Sequence, residues 1–306
     1  MTASPAGRAT ALGAVAVLLW SALALLTTAA GPVPPFLLTA LTFAVAFAAA
    51  LAVWLVQGGS ILARFRWPSG VWALGVGGLF GYHLLYFLAL RAAPPVEANL
   101  VNYLWPLLIV LLSALLPGER LRWWHVAGAL LGLAGAALLV TGGGAVAFRA
   151  EHGPGYAAAA GSALVWAAYS VASRRFGAIP SEAVGAFYGV TAALAFLCHL
   201  AWEPWGPPAG TVWPAVVALG IGPMGIAFFV WDIGMKHGDI RLLGALAYLA
   251  PLLSTLLLLA FGRAPASWTV AAACVLIAGG AALAARDRLA RAQPAARRSR
   301  SAPSRR

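Results

Sequence analysis

Charge is scarce in this chain: of 306 residues only 8 are Asp or Glu, and charged side chains of either sign make up 9%. An ordinary soluble domain carries about 25%. Acids this sparse form no cluster of Asp, Glu, His or Ser at either membrane face, so an enzyme is not expected and no metal centre is expected either. Cysteine is almost missing too. Cys198 and Cys274, each inside an apolar run, exclude a disulfide framework and argue against a zinc site. The formal net charge is +12, yet eight of the twenty Lys and Arg lie between Arg286 and Arg306. The positive charge is therefore a tail and not a patch, and nucleic acid is not an expected partner.

What fills the sequence instead is hydrophobic residues, at 62%. A water-soluble protein of this length could not bury so much apolar surface, so the solvent is a bilayer and membrane lipids are the first partner. A crossing helix needs about 20 apolar residues. Ten stretches qualify: 9–30, 34–56, 70–90, 96–116, 123–141, 154–173, 180–201, 211–235, 242–261 and 266–285. None contains Arg or Lys, as the cost of such a charge in lipid requires. Trp54, Trp67, Trp72, Trp123, Trp124, Trp202, Trp205, Trp213 and Trp268 lie at span ends or in loops, the headgroup level that suits an indole.

With the N-terminus inside, Arg8, Arg64, Arg66, Arg120, Arg122, Arg174, Arg175, Lys236, Arg241 and the eight tail arginines share one face, against Arg91, Arg149 and Arg263 on the other, a bias of 17 to 3. The positive-inside rule then puts both termini in the cytoplasm. The first span ends near Thr27-Thr28-Ala29-Ala30-Gly31, which superficially suits signal cleavage, but its apolar core exceeds the roughly 7–15 residues of a signal peptide.

The two halves resemble each other. Trp20, Gly31 and Pro34 recur 146 residues later as Trp166, Gly177 and Pro180. Tyr103-Leu104-Trp105-Pro106-Leu107-Leu108 recurs 145 residues on as Tyr248-Leu249-Ala250-Pro251-Leu252-Leu253, and Trp123 with Trp268 and Gly135 with Gly280 keep that register. Spans one to five therefore correspond to spans six to ten. Because five is odd, the halves enter the membrane from opposite sides. The expected fold is an all-α membrane protein of ten transmembrane helices, two inverted five-helix repeats around a central cavity. Residues 1–145 form the first repeat, 146–286 the second, and 287–306 a basic, disordered cytoplasmic tail. Such halves can rock about a shared midplane cavity, which predicts a transporter rather than a scaffold.

The span pattern, with Leu18-Leu19-Trp20 opening the repeat and Pro106 and Pro251 in the middle of spans four and nine, resembles the drug/metabolite transporter superfamily, EamA type. Within it, Tyr82-His83, Tyr86, Asn99, Tyr103 and Trp105-Pro106 resemble the YddG-type aromatic amino acid exporters of bacterial inner membranes. That resemblance implies a cavity lined by spans 1, 3, 4, 6, 8 and 9, an inner-membrane location, and export of aromatic amino acids or similar small amphipathic metabolites. A drug or another amino acid as cargo would leave the fold unchanged.

Candidate substrate-binding residues follow. Tyr82, His83 and Tyr86 share one helical face, and Asn99, Asn102 and Tyr103 another. Both faces serve either as interhelical glue or as the lining of a substrate path, and their spans favour the path. Trp20, Trp105, Trp166, Tyr169 and Tyr248 sit inside their spans, where rings either fill the bundle or stack on a planar cargo. Pro106 and Pro251 remove a mid-helix hydrogen bond and make either a static bend or a gate. His83, far from any span end, reads as a neutral hydrogen-bonding cavity residue in preference to a proton carrier. Asp232 and Lys236 are spaced for an ion pair. Gly77 with Gly81, Gly128 with Gly132 and Gly185 with Gly189 have the spacing of close helix contacts. Gly220-Ile221-Gly222-Pro223-Met224-Gly225 matches G-x-G-x-x-G in letters but lacks a strand-turn-helix setting, so no cofactor is expected. A monomer is the expected state.

Overall fold

Prolines and glycines at the edges of the apolar runs set where the helices begin and end. The computed structural model describes residues 4–206, 208, 210–262 and 267–287. Arg263 and residues 288–306, hence nearly all of the expected tail, lie outside the described residues. The ten spans are α1 (Pro5–Ala29), α2 (Pro35–Gln57), α3 (Ser69–Ala92), α4 (Pro95–Leu115), α5 (Trp123–Thr141), α6 (Gly153–Ala172), α7 (Ala183–Trp202), α8 (Gly210–His237), α9 (Ile240–Ala260) and α10 (Trp268–Ala284). Pro5, Pro35 and Pro95 open α1, α2 and α4, where a fixed φ favours the first turn and the missing N–H has no partner to lose. Gly58 (φ 74°) and Gly142 (φ 61°) end α2 and α5 in a conformation that residues with a Cβ avoid.

The most extensive helix pairs are α5 with α10, α3 with α6, α2 with α7 and α1 with α8. Exchanging the halves turns α3–α6 into α8–α1 and leaves α2–α7 and α5–α10 unchanged, so the packing obeys the repeat seen in the sequence. The ten helices form two inverted five-helix repeats around a central cavity. In lipid, apolar burial does not drive helices together, and close backbone approach must do so instead. On the α5–α10 seam a Cβ added to Gly128 would stand 2.5 Å from the Gly280 carbonyl, and one on Gly280 2.5 Å from the Gly128 carbonyl. Gly185 and Gly189 seat Trp54 and Phe47 of α2 in the same way.

Two expectations about small and aromatic residues need correction. Nothing lies within 4 Å of a Cβ on Gly77, and only Val165 nears one on Gly81, whereas Gly75 and Gly78 receive the rings of Phe187 and Tyr169. The close-packed face of α3 is thus rotated from the spacing read in the sequence. Among the tryptophans at span ends, Trp123, Trp202, Trp205, Trp213 and Trp268 are exposed as a headgroup belt requires, but Trp54 is buried, edge-on to Phe47 and Phe65. It lines the α2–α7 seam because Gly185 leaves room for it.

Candidate functional site

Among the described residues, four of the spans break within their length. α1 is interrupted at Ala22, α4 between Asn102 and Trp105, α8 by a wide turn over Gly222–Ile226, and α9 at Ala247–Tyr248. Backbone that leaves the helical ladder within a span must be satisfied by side chains or by a wet cavity. Both occur here. The Trp20 indole N–H donates to the Pro223 carbonyl at 3.1 Å and the Tyr188 hydroxyl to the Gly225 carbonyl at 2.6 Å, so the G-x-G-x-x-G letters mark a helix irregularity held by rings.

Between these breaks lies a cavity of about 540 Å³. Trp20, Tyr82, His83, Tyr86, Asn99, Asn102, Tyr103, Trp105, Trp166 and Pro251 line it, ten of the thirteen positions singled out from the sequence. Pro106 is buried behind the wall at the start of the helix resuming at Trp105. Tyr169 and Tyr248 are not in the wall. Tyr169 packs beneath Trp166 (centroids 5.2 Å apart) into the space Gly78 leaves, and Tyr248 is fully buried against Gly132. Both belong to the frame because the facing glycines draw their rings away from the opening.

The floor is aromatic. Trp20 stands 6.2 Å from Trp105, 5.9 Å from Trp166, 5.7 Å from Phe228 and 5.0 Å from Trp231, mostly edge to face. Tyr82 stacks on Tyr86 at 5.9 Å and approaches Trp166 at 5.6 Å. Beneath the polar faces, Asn102 accepts from Ser162 (2.8 Å) and donates to the Tyr82 hydroxyl (3.2 Å), while Tyr86 donates to Asn99 (2.5 Å). The asparagines therefore join α3, α4 and α6 and line the cavity at once. His83 Nδ1 donates to the Leu79 carbonyl at 2.7 Å, since a carbonyl only accepts, and its ring stands edge-on to Phe43 at 5.3 Å. Among the described residues, the wall contains no Asp, Glu, Lys or Arg.

Sequence reasoning missed Thr39 and Thr42 of α2, Phe87 of α3, Phe228 of α8 and Ser254 of α9 in the wall. Thr39 and Thr42 bond to carbonyls in their own helix and carry no signal of facing water. Phe228 resembles any core phenylalanine until the break at Gly222–Ile226 turns it inward. With α2 contributing, the wall is wider than the six spans expected.

Among the described residues, the wall of the cavity runs out to one end of the bundle. Leu23, Ala24, Thr27, Gly31, Val33 and Leu90 carry its wall to the face where α1 meets α2. The other, arginine-rich end is closed by packed residues including Val17, Met235, Ile240 and Leu243, and by a cluster of charges. Glu119, between α4 and α5, pairs with Arg174 at 2.5 Å and Arg241 at 3.2 Å. Arg174 also donates to the Met235 (3.0 Å) and Gly238 carbonyls, and Arg241 to the Arg120 carbonyl (2.6 Å). A carboxylate of the first half is thereby tied to two guanidiniums of the second. Asp232 and Lys236 form the expected pair, buried at 2.7 Å, with Ser181 donating to Asp232 and Lys236 to the Ile179 carbonyl.

The profile of the EamA-like transporter family matches this chain twice, over residues 8–141 and 153–286. The chain belongs to the EamA-like transporter family. It is thus a multi-pass membrane transporter, and the doubled match reflects its two five-helix repeats. This EamA-like chain is 59% identical over 278 residues (90% of its length, 96% of the relative's) to a protein of Ancylobacter novellus named aromatic amino acid exporter YddG. It is 25% identical over 200 residues to the Escherichia coli protein of that name (61% of this chain, 66% of the relative). A probable terminal-alkyne amino-acid exporter of Streptantibioticus cattleyicolor is 28% identical over 185 residues, covering 58% of this chain and 59% of the relative. A crystal structure of 58% identity superposes with a TM-score of 0.87 over 92% of this chain and 98% of that one.

Proposed function

We propose that this transporter exports aromatic amino acids across the bacterial inner membrane by alternating access, with no bound cofactor. The observation that carries the reading is the uncharged cavity floored by Trp20, Trp105, Trp166 and Phe228, open at one end and closed at the other. A planar side chain gains about 0.5–1.5 kcal/mol for each favourable ring pair beyond the area it buries, and its ammonium can sit over a ring face. A zwitterion has no net charge to offset, so a wall without formal charge suits it, whereas a phosphorylated solute would lack a counter-ion. The names of the relatives point the same way. The arginine bias places both termini in the cytoplasm, so the cavity faces the periplasm in this form. The repeats divide at residues 145 and 146, the basic tail begins at 287, and the working unit is a monomer.

Purified protein in liposomes, offered labelled Phe, Trp, Leu and Thr, tests the reading. Phe and Trp should move faster than Leu and Thr. Flux of Leu or Thr without the aromatics would refute the stacking argument and leave an exporter of another amino acid; no flux of any solute would refute transport.

A further inference from the structure

The hydroxyl of Tyr248 stands inside the break of α4. An unbroken helix would bond the Leu107 N–H to the Tyr103 carbonyl, four residues back. Here Leu107 N–H donates to the Tyr248 hydroxyl at 3.2 Å, and that hydroxyl donates to the Tyr103 carbonyl at 3.1 Å. A side chain of the second half thus splints a gap in a helix of the first and satisfies two backbone groups that lipid would leave unpaired. Gly132 makes this possible, because a Cβ there would stand 2.4 Å from the Tyr248 ring.

The repeat register aligns Tyr248 with Tyr103, and Leu107 with Leu252. Yet the two tyrosines are used differently. Tyr103 lines the cavity, and its hydroxyl makes no hydrogen bond to the described residues. The corresponding pair in α9 is the Tyr248 carbonyl and the Leu252 N–H, next to Pro251, where the helix resumes at Leu249 with Tyr248 as its cap residue.

We propose that Tyr103 and Tyr248 exchange the splinting role when the transporter changes the end at which it opens. In the form described, Tyr248 bridges α4. In the form open at the arginine-rich end, Tyr103 leaves the cavity wall and its hydroxyl bridges α9, accepting from Leu252 N–H and donating to the Tyr248 carbonyl. The proposal rests on the alternating-access reading: two copies of one unit in opposite senses reach the second form by trading conformations. A contact that is asymmetric now is then remade by its repeat partner, provided that partner has the same chemistry. Both positions are tyrosine, so the bond can be remade. The pair acts as positioning residues, because whichever helix is splinted holds its half of the wall, Trp105 or Ala250, in place.

The test uses the full-length protein in nanodiscs, with Cys198 and Cys274 replaced by Ala. Spin labels at Arg120→Cys with Arg175→Cys report the arginine-rich end, and labels at Ala29→Cys with Ala92→Cys the other. Tyr248→Phe should lower the ratio of the present form to the alternative by roughly three- to tenfold, the net effect of a lost hydrogen bond. Tyr103→Phe should raise it by a similar factor, and the double variant should return near the starting ratio. A merely structural tyrosine would not show opposite signs. The proposal is overturned if Tyr103→Phe leaves the ratio unchanged or shifts it the same way as Tyr248→Phe. Should Tyr248→Phe fail to fold, Tyr103→Phe alone decides, because its hydroxyl is unbonded here. Amino acid flux with two distance populations but an inert Tyr103→Phe refutes the exchange alone. A parent protein that carries no solute, or shows one population, refutes the alternating-access reading instead.

Discussion

Glu119→Gln should release the arginine-rich end. The carboxylate is 18% exposed and its partners Arg174 and Arg241 are 22% and 21% exposed, so solvent screens the pairs only in part. A fully exposed pair contributes under about 1 kcal/mol, whereas a hydrogen bond to a charged group is worth about 1.5–3 kcal/mol. Two half-shielded contacts sharing one carboxylate therefore bias the closed end by about 2 kcal/mol, or roughly 30-fold in population. Among the described residues, no ion pair joins the two halves at the opposite end. The register that pairs Trp20 with Trp166 sets Thr28 against Arg174, and the register of Tyr103 with Tyr248 sets Val96 against Arg241 and Ala264 against Glu119. The lock is thus one-sided, and removing it should move the equilibrium in one direction. In nanodiscs, labels at positions 120 and 175 should show a longer-distance population growing by about that factor in Glu119→Gln. Arg149→Gln, whose pair with Glu151 is 71% and 60% exposed, serves as the surface control and should change nothing. Unchanged distances in Glu119→Gln would refute the idea that these charges hold the end shut.

Three further outcomes are expected. Trp166→Ala and Tyr86→Ala should weaken Trp transport in liposomes by about tenfold and Leu transport much less, while Trp205→Ala, 74% exposed, should leave cargo choice intact; equal losses for both cargoes would argue against stacking. Gly280→Val places a side chain against the Gly128 carbonyl at 2.5 Å, and a clash with backbone on a packed seam should cost about 1–3 kcal/mol, read as a lower thermal midpoint in detergent. An unaltered midpoint would mean that α5 and α10 part easily. Glu203→Gln removes the carboxylate that accepts from the Phe36 (2.8 Å) and Leu37 (3.0 Å) N–H groups at the start of α2. Exchange of those two amides should accelerate by roughly tenfold or more as the charge-assisted cap is lost, and protection equal to the parent's would show that the cap adds nothing.

The ten spans were legible because lipid imposes a simple rule: a helix of about 20 apolar residues leaves its mark whatever its neighbours. The repeat was legible for a similar reason, since Tyr, Trp, Pro and Gly matches such as Tyr103 with Tyr248 stand out against a background of Leu and Ala. What side chains face was less legible. Tyr169 and Tyr248 have the same depth and chemistry as Trp166 and Tyr103, and only Gly78 and Gly132 on other helices decide that their rings turn into the frame. Trp54 looks like a belt residue until Gly185 across the seam admits it. Thr39 and Thr42 face the cavity with hydroxyls bonded to their own helix, so nothing in their spacing distinguishes them from a lipid-facing threonine. For the three rings the deciding atom lies on a different helix, more than a hundred residues away for Trp54 and Tyr248. Periodicity reports the solvent a helix meets, and here lipid, seam and cavity all accept apolar and aromatic side chains. The polar part of the cavity wall could be read where polar residues gather more densely than helix contacts require, as at Tyr82–Tyr86 and Asn99–Tyr103. That excess is the physical reason Tyr82, His83, Tyr86, Asn99, Asn102 and Tyr103 were expected in the wall while Phe228 and Ser254 went unnoticed.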